Sequence, residues 1–487
     1  MTTDKIRVNE INNEHGAPGI NDVKDIELIE TSIDKLASCV IEQAARHEQV
    51  EAYVAFGRET SIRVYNSSIE TLESAETLGI GIRYIRDGKL GFAWSGQIPI
   101  YDLIFEFGKT LKTAKEVFDL AKENSEYATP DEFVLLASPD GILPAELQLF
   151  DPQILTFDTR QKVELALQVE ADILKKDSRI KFVEQSNYGD GLSLVALSST
   201  AGIKTLSKRT GCYLAAYAIA GDDNESHTGG GVSVARNPSD LYPDKVIDDA
   251  VLYSTRMVGA DKPNSSVKPI VFDPKITSTF LTLLSGPLSG NSVAKKRSFF
   301  MDRMDESVAS EIVTLVDDPT NPKAYGATTY DAEGLACRNI PLIQNGILKG
   351  FLHSSESAKR CNVKGTASAI RSSYSTTPGV GPRALTLKPG DLNPDQILKE
   401  IDSGIYIQSI TGVASGVNPI SGDFSVGIEG LTIKDGELDE PIREATVSST
   451  MQRMLKDIFL IGSDLNWLPG VASGQTIAIK SMTVSGR

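Results

Sequence analysis

The 487-residue chain predicts an α+β fold. An N-terminal domain of two repeated helix–antiparallel-meander–helix units precedes a β-rich antiparallel C-terminal domain with a few helices. Three observations carry that reading. A helix-period segment, a run of alternating strands and a second helix-period segment occur twice between residues 26 and 260. Beyond residue 311 the chain is mostly short apolar runs separated by Gly turns. Its length also exceeds one ordinary hydrophobic core, so two domains or more are expected.

The first unit opens with "IELIETSIDKLASCVIEQAARHEQ", whose apolar residues recur at helical spacing. "VEAYVAFG", "TSIRVYNSSIETLES" and "LGIGIRYIRDGKLGFAW" follow as strands, with Asp87-Gly88 accepting the positive φ of a tight hairpin turn. "IYDLIFEFGKTLKTAKEVFDLA" is the second helix. The pattern then recurs: helix "DTRQKVELALQVEADILKKD", a meander from "IKFVEQ" to "AIAGDD", and helix "LYPDKVIDDAVLYSTRMVG".

Polar, Pro-bounded "DKPNSSVKP" at 261–269 marks a domain boundary. The division is therefore a flexible tail over 1–25, an N-terminal domain over 26–262 and a C-terminal domain over 263–487. The C-terminal domain opens with a helix. Asp273 can N-cap it, Pro274 suits its first position, and Ile276, Phe280, Leu283 and Leu284 form its apolar stripe. Asn345-Gly346 and Asp435-Gly436 read as hairpin turns, and "TVSSTMQRMLKDIFLIG" as one further helix.

Hydrophobic residues at 40% and charged ones at 23% describe a soluble globular protein. A net charge of −16 disfavours a phosphate backbone or an anionic membrane, so neither nucleic acid nor membrane is expected as a partner. "AKKRS" at 294–298 reads as a solvated turn. No apolar run is long enough to span a bilayer, and the N-terminus has no signal-peptide core; a cytoplasmic location follows. Cys39, Cys212, Cys337 and Cys361 are widely spaced without a CxxC pair, which fits reduced thiols.

The residues alone offer no convincing catalytic constellation. None of His15, His47, His227 and His353 pairs with another at a spacing that would hold zinc on one helix turn. "HEQVE" at 47–51 reads as a surface helix end, His227 in "ESHTGGG" as part of a solvated Gly-rich loop, and His353 as a satisfied structural histidine. "HTGGGVS" lacks the P-loop pattern, and "GVASG" at 412–416 and 470–474 reads as tight strand connections. The stretch "FLTLLSGPLSGNS" at 280–292 stands out, because a good helix breaks there into Ser, Gly and Pro. Ser285 and Ser289 lie four apart, but the surroundings are not a GxSxG elbow and no His is near in sequence.

"VDDPTNPKAYGATTYDAEG", "QNGILKGFLHSSESAKR", "GVNPISGDFSVGIEGLTIKDGELDEPI" and "MLKDIFLIGSDL" together resemble the TldD/PmbA family, once called modulators of DNA gyrase. The N-terminal "ETSIRVYNSSIETLESAETLGIGIRYIRDGKLGFA" is similar to its first domain, so the resemblance covers nearly the whole chain after the tail. The resemblance implies one of two branches. TldD-like members resemble metalloproteases with His-Glu-x-x-x-His on a helix and a cysteine ligand near the C-terminus. PmbA-like members, also called TldE, lack those ligands and pair with a TldD-like chain. Here Ser285, Gly286 and Gly290 fill the positions of the first His, the Glu and the second His, and "SDLNWLPGVASGQTIAIKSMTVSG" holds no Cys.

The resemblance thus implies the PmbA branch, with no catalytic or metal-binding residue and no cofactor held by this chain. Zinc is expected in a TldD-like partner subunit. Ser285, Gly286, Ser289 and Gly290 would be a degenerate site. Asn418, Pro419, Gly422, Asp423 and Phe424 would form a family-motif loop, structural or lining a groove. The implied function is that of the metal-free subunit of a heteromeric metalloprotease that cleaves unfolded or flexible peptides, with a homodimer as the assembly when alone. Two alternatives stay open: a stand-alone, non-proteolytic peptide- or protein-binding module, and a serine hydrolase built on Ser285 or Ser289.

Overall fold

The computed structural model describes residues 23–221 and 225–487. Helix α1, Val23–Ile41, buries Ile26, Ile29, Ile33, Leu36, Ala37 and Val40, an apolar stripe at three- and four-residue spacing. It starts inside the span expected as a tail; the rest of that tail, together with His15, falls outside the described residues. Strands β1 (Gln49–Tyr65), β2 (Ser68–Arg86) and β3 (Lys89–Ser95) follow, then helices α2 (Ile100–Phe105) and α3 (Phe107–Glu126). The second unit comprises α4 (Thr159–Lys176), β4 (Ile180–Ser199), β5 (Lys204–Gly221), β6 (Ser226–Ala235) and α5 (Pro243–Thr255). Asp158 opens α4 with a capping box closed by Gln161.

Both expected units are present, and they share one sheet. Its order is β3-β2-β1-β4-β5-β6, because β1 pairs antiparallel with β4 from Glu51↔Ser199 to Val64↔Ser186. The strand period of two then sorts the faces. Val50, Ala52, Val54 and Phe56 of β1 pack under α1 and α3, while Ile62 and Val64 pack under α4. Glu51 and Tyr53 point the other way, toward the C-terminal domain, where the Arg371 guanidinium binds the Glu51 carboxylate and lies 4.3 Å over the Tyr53 ring.

His227 departs from expectation. It lies on β6 rather than in a solvated loop, it is buried, and its Nε2 is 3.2 Å from Glu225 Oε2. The Gly-rich run beside it serves packing: a Cβ at Gly229 would stand 2.1 Å from Ser254 N, and one at Gly231 2.0 Å from Val246 O, so only glycine lets α5 approach this closely.

The C-terminal domain begins with β7 (Ser266–Phe272), helix α6 (Pro274–Leu284) and the short helix α7 (Gly290–Ala294). Its main sheet runs in the order Glu437–Thr450, Asp423–Lys434, Ser403–Thr411, β7, Ile477–Ser485, Ile458–Ile461. Thr446–Ser448 also pair with Thr483–Ser485, which closes the sheet on itself. One pairing differs from the antiparallel expectation: β7 runs parallel to Ser403–Thr411. Helix α6 sends Ile276, Phe280, Leu281 and Leu284 into the core beside Phe424, Val426 and Met454; Leu283, expected in that stripe, is only partly buried.

The helix expected over 446–462 is shorter, Met451–Asp457. The β-branched Thr446, Val447 and Thr450 end a strand instead, and Ile458–Ile461 form another. Thr450 caps the helix by accepting from the Arg453 amide.

Candidate functional site

The candidate site starts from α6. Asp273 N-caps it through the Lys275 amide, and Pro274 takes its first turn. The other Asp273 oxygen accepts the Tyr253 and Tyr406 hydroxyls at 2.5 and 2.6 Å, tying the N-terminal unit to the start of this helix. The helix ends at Leu284 with Ser285 as its C-cap. The chain then turns through Gly286-Pro287-Leu288, and Ser289 makes a parallel bridge with Leu352. Gly290 N donates to Leu352 O at 2.7 Å and Leu352 N to Leu288 O at 2.9 Å. Only then does α7 begin, at Gly290.

Ser285, Gly286 and Gly290 therefore do not share one helix, and Ser285 and Ser289 do not share a helix face. The space beside Gly290 is already filled. A Cβ there would stand 2.1 Å from His353 Nδ1. His353 is buried, its Nδ1 is 3.2 Å from Ser357 Oγ, and burial pushes its pKa down. That matches the satisfied structural histidine expected at this position. A histidine does reach the Ser-rich break in space, yet its hydrogen bond goes to the fully buried Ser357, not to Ser285 or Ser289.

The family-motif loop meets this break. Pro419 Cβ would be 3.8 Å from a Cβ on Gly286, the nearest contact that position has. Asn418 builds the loop: its Oδ1 accepts the Ile420 and Ser421 amides, its carbonyl accepts the Gly422 amide, and its own amide donates to Asp423 O. Gly422 has φ +85°, and a Cβ there would strike the Gln452 side chain at 2.0 Å. Ser421 Oγ donates to Asp423 Oδ2 at 2.5 Å, and Phe424 anchors the loop in the core. Asn418, Pro419 and Asp423 are exposed, so the loop presents a self-bonded wall beside Gly286.

The C-terminal segment folds onto the start of the same helix. Asn466–Trp467 pairs with Ser473–Gly474, Ser278 Oγ donates to Ala472 O, and a Cβ at Gly474 would stand 2.2 Å from Pro274 O. The residues here do not fit a zinc ion. Positions 285, 286 and 290 supply a hydroxyl and two bare backbones, a side chain at 290 has no room, and among the described residues no three His, Cys, Asp or Glu side chains converge as metal ligands.

Comparison with known proteins decides the family. Residues 50–115 match the PmbA/TldA metallopeptidase domain 1, residues 152–257 the PmbA/TldA metallopeptidase central domain, and residues 265–486 the PmbA/TldA metallopeptidase C-terminal domain. The chain belongs to the PmbA/TldD metallopeptidase family. It is 23% identical over 470 residues to the metalloprotease PmbA of Escherichia coli O157:H7, covering 96% of this chain and 98% of that one. It is 25% identical over 467 residues to a metalloprotease of Methanothermobacter thermautotrophicus, covering 93% and 96%. The crystal structure of TldE from Thermococcus kodakarensis shares its fold, with a TM-score of 0.83 at 20% identity over 94% of this chain and 100% of that one.

One feature of this PmbA/TldD-family chain escaped the sequence reading. The helix-free face of the N-terminal sheet and the C-terminal domain line a solvent-open cavity of about 630 Å³. Arg209, Arg371 and Arg383 line it. Arg209 is far in sequence from the other two, so no local motif signals the set; the faint trace is the pair Arg371 and Arg383 in the small, turn-rich stretch "AIRSSYSTTPGVGPRAL".

Proposed function

We propose that this chain is the metal-free, PmbA/TldE-like subunit of a heteromeric metalloprotease, paired with a TldD-like chain that carries the zinc. One observation supports this reading above the others. Where the resemblance places a zinc helix, the helix stops at Leu284, Ser285 and Gly286 stand in for a ligand and a base, and His353 fills the side-chain space of Gly290. The exposed loop at Asn418–Asp423 lies beside this break and would form part of a wall facing the partner's site. Unfolded or flexible peptides are the substrate class that suits such a pair. An extended peptide can add to a sheet edge through backbone hydrogen bonds with little demand on sequence, and β3 and β6 are the edges of the N-terminal sheet.

Co-expression with a TldD-like chain from the same genome tests the reading. A stable complex that cleaves an unfolded peptide, with neither chain active alone, is the expected result. A monomeric chain that ignores every such partner and still binds peptide would favour the stand-alone binding module. Peptide cleavage by the isolated chain, abolished by Ser285→Ala or Ser289→Ala, would favour the hydrolase.

A further inference from the structure

The cavity between the two domains is lined by three arginines, of which only Arg371 has an ion-pair partner among the described residues, Glu51. Arg371 has a side chain only 1% exposed. Its Nη2 donates to Glu51 Oε1 at 2.6 Å, but its Nε and Nη1 are buried with no acceptor. The Nε of Arg383 is likewise buried without an acceptor. Arg209, on β5, spends one weak bond of 3.4 Å on the Tyr325 carbonyl. A guanidinium is donor-only and always charged, and a buried donor left unmatched carries an unreturned desolvation cost.

The carboxylates that line the cavity, Glu59, Asp190 and Asp331, form no ion pair with these arginines. Asp190 is engaged by Lys162 and by the Tyr188 hydroxyl. Asp331 accepts the Glu333, Leu335 and Ala369 amides, and burial, with Glu333 beside it, pushes its pKa up. Glu59 is exposed. Burial pushes the Arg209 guanidinium down, and the neighbouring Arg383 charge adds to that shift.

We propose that this cavity is an oxyanion-binding site, in which Arg371, Arg383 and Arg209 take a carboxylate or phosphate group, with the Tyr330 hydroxyl as a neutral donor. An anion there would place its negative charge among three guanidiniums that line one cavity. The assignment concerns this chain alone and does not depend on the heteromer reading.

Calorimetric titration of the full chain at constant ionic strength tests it with three probes. These are inorganic phosphate, an unfolded peptide with a free C-terminal carboxylate, and the same peptide amidated. Saturable phosphate binding supports the site and identifies a phosphate source. Binding of the free-carboxylate peptide at least tenfold tighter than the amidated one supports it and identifies a peptide source. Arg383→Gln should weaken either at least tenfold, and Arg209→Gln, which gives up one 3.4 Å bond to the Tyr325 carbonyl, provides the same readout should the first variant fail to fold. Arg303→Gln, a partly exposed residue of the C-terminal domain that does not line the cavity, should leave binding unchanged. No saturable binding of phosphate or free-carboxylate peptide, or binding that survives Arg383→Gln and Arg209→Gln in folded protein, would overturn the proposal.

Discussion

The imidazole of His353 occupies the place where a side chain at Gly290 would stand, with Nδ1 2.1 Å from the position of a Cβ. Gly290→Ala should therefore destabilise the chain by about 1–3 kcal/mol through overpacking, and Gly290→His by more. Combining Gly290→Ala with His353→Ala should cost less than the two changes summed, because the second removes the clash of the first. Denaturant midpoints of the four proteins give that coupling directly. Strict additivity would show that the two positions do not share space.

The same contact predicts the outcome of a restored motif. The triple change Ser285→His, Gly286→Glu, Gly290→His should not yield a zinc site. The helix has ended at Leu284, position 290 has no room, and among the described residues no three His, Cys, Asp or Glu side chains converge as metal ligands. Elemental analysis of the purified triple variant should show no bound zinc, and stoichiometric zinc would refute the geometry.

Glu51 joins two domains through charge. Arg83 Nε donates to it at 2.9 Å and Arg371 Nη2 at 2.6 Å, all three side chains being buried. Burial alone would raise its pKa, but Arg83 and Arg371 hold it down at about 2. Stability from this carboxylate is present above its unfolded pKa of 4.5 and is lost as pH falls toward 2. Glu51→Gln should cost about 3–5 kcal/mol at neutral pH, because two buried guanidiniums lose their counter-ion. A loss under 1 kcal/mol in urea denaturation would show that the cluster is not buried as described.

Asp317 carries the opposite sign. It is buried, and its Oδ1 accepts both the Arg383 and Ala384 amides. Burial pushes its pKa up from 3.8 to about 6. The folded state thus holds a proton that the unfolded state releases between those values, and this group's contribution to stability falls as pH rises through that window. Asp317→Asn keeps an oxygen for both amides without the charge. It should match the wild type near pH 4 and exceed it above pH 6 by on the order of 1–3 kcal/mol. Parallel stability–pH curves for the two proteins would contradict the burial of this carboxylate.

Local chemistry was legible in the sequence wherever a few adjacent residues decide the structure. Asp87-Gly88, Asn345-Gly346 and Asp435-Gly436 all adopt positive φ at both positions, as Asx-Gly hairpins require. Asp273 and Pro274 start α6 as expected. The repeated units could be read, but their fusion through β1 and β4 could not, since that pairing joins residues more than 120 apart. His227 was misread because Gly-rich composition signals a loop locally, whereas here it makes room for α5. The helix over 446–462 was overextended because its β-branched ends favour strands once partners exist. The meeting of Gly286 with Pro419, and of Gly290 with His353, is purely tertiary.

Ser285 and Ser289 should be chemically silent in the proposed heteromer. Replacing both by Ala should cost at most about 1 kcal/mol of stability and leave peptide cleavage by the heteromer nearly intact. A catalytic nucleophile would instead lose several orders of magnitude in rate. A collapse of activity with folding and assembly unchanged would place a reactive serine in this break.

Zinc stoichiometry of the isolated chain and of its complex with a TldD-like chain tests the central claim most directly. Elemental analysis after mild chelation should find no zinc in the isolated chain and about one zinc per pair in the complex. Retention of about one zinc by the isolated chain would contradict the account.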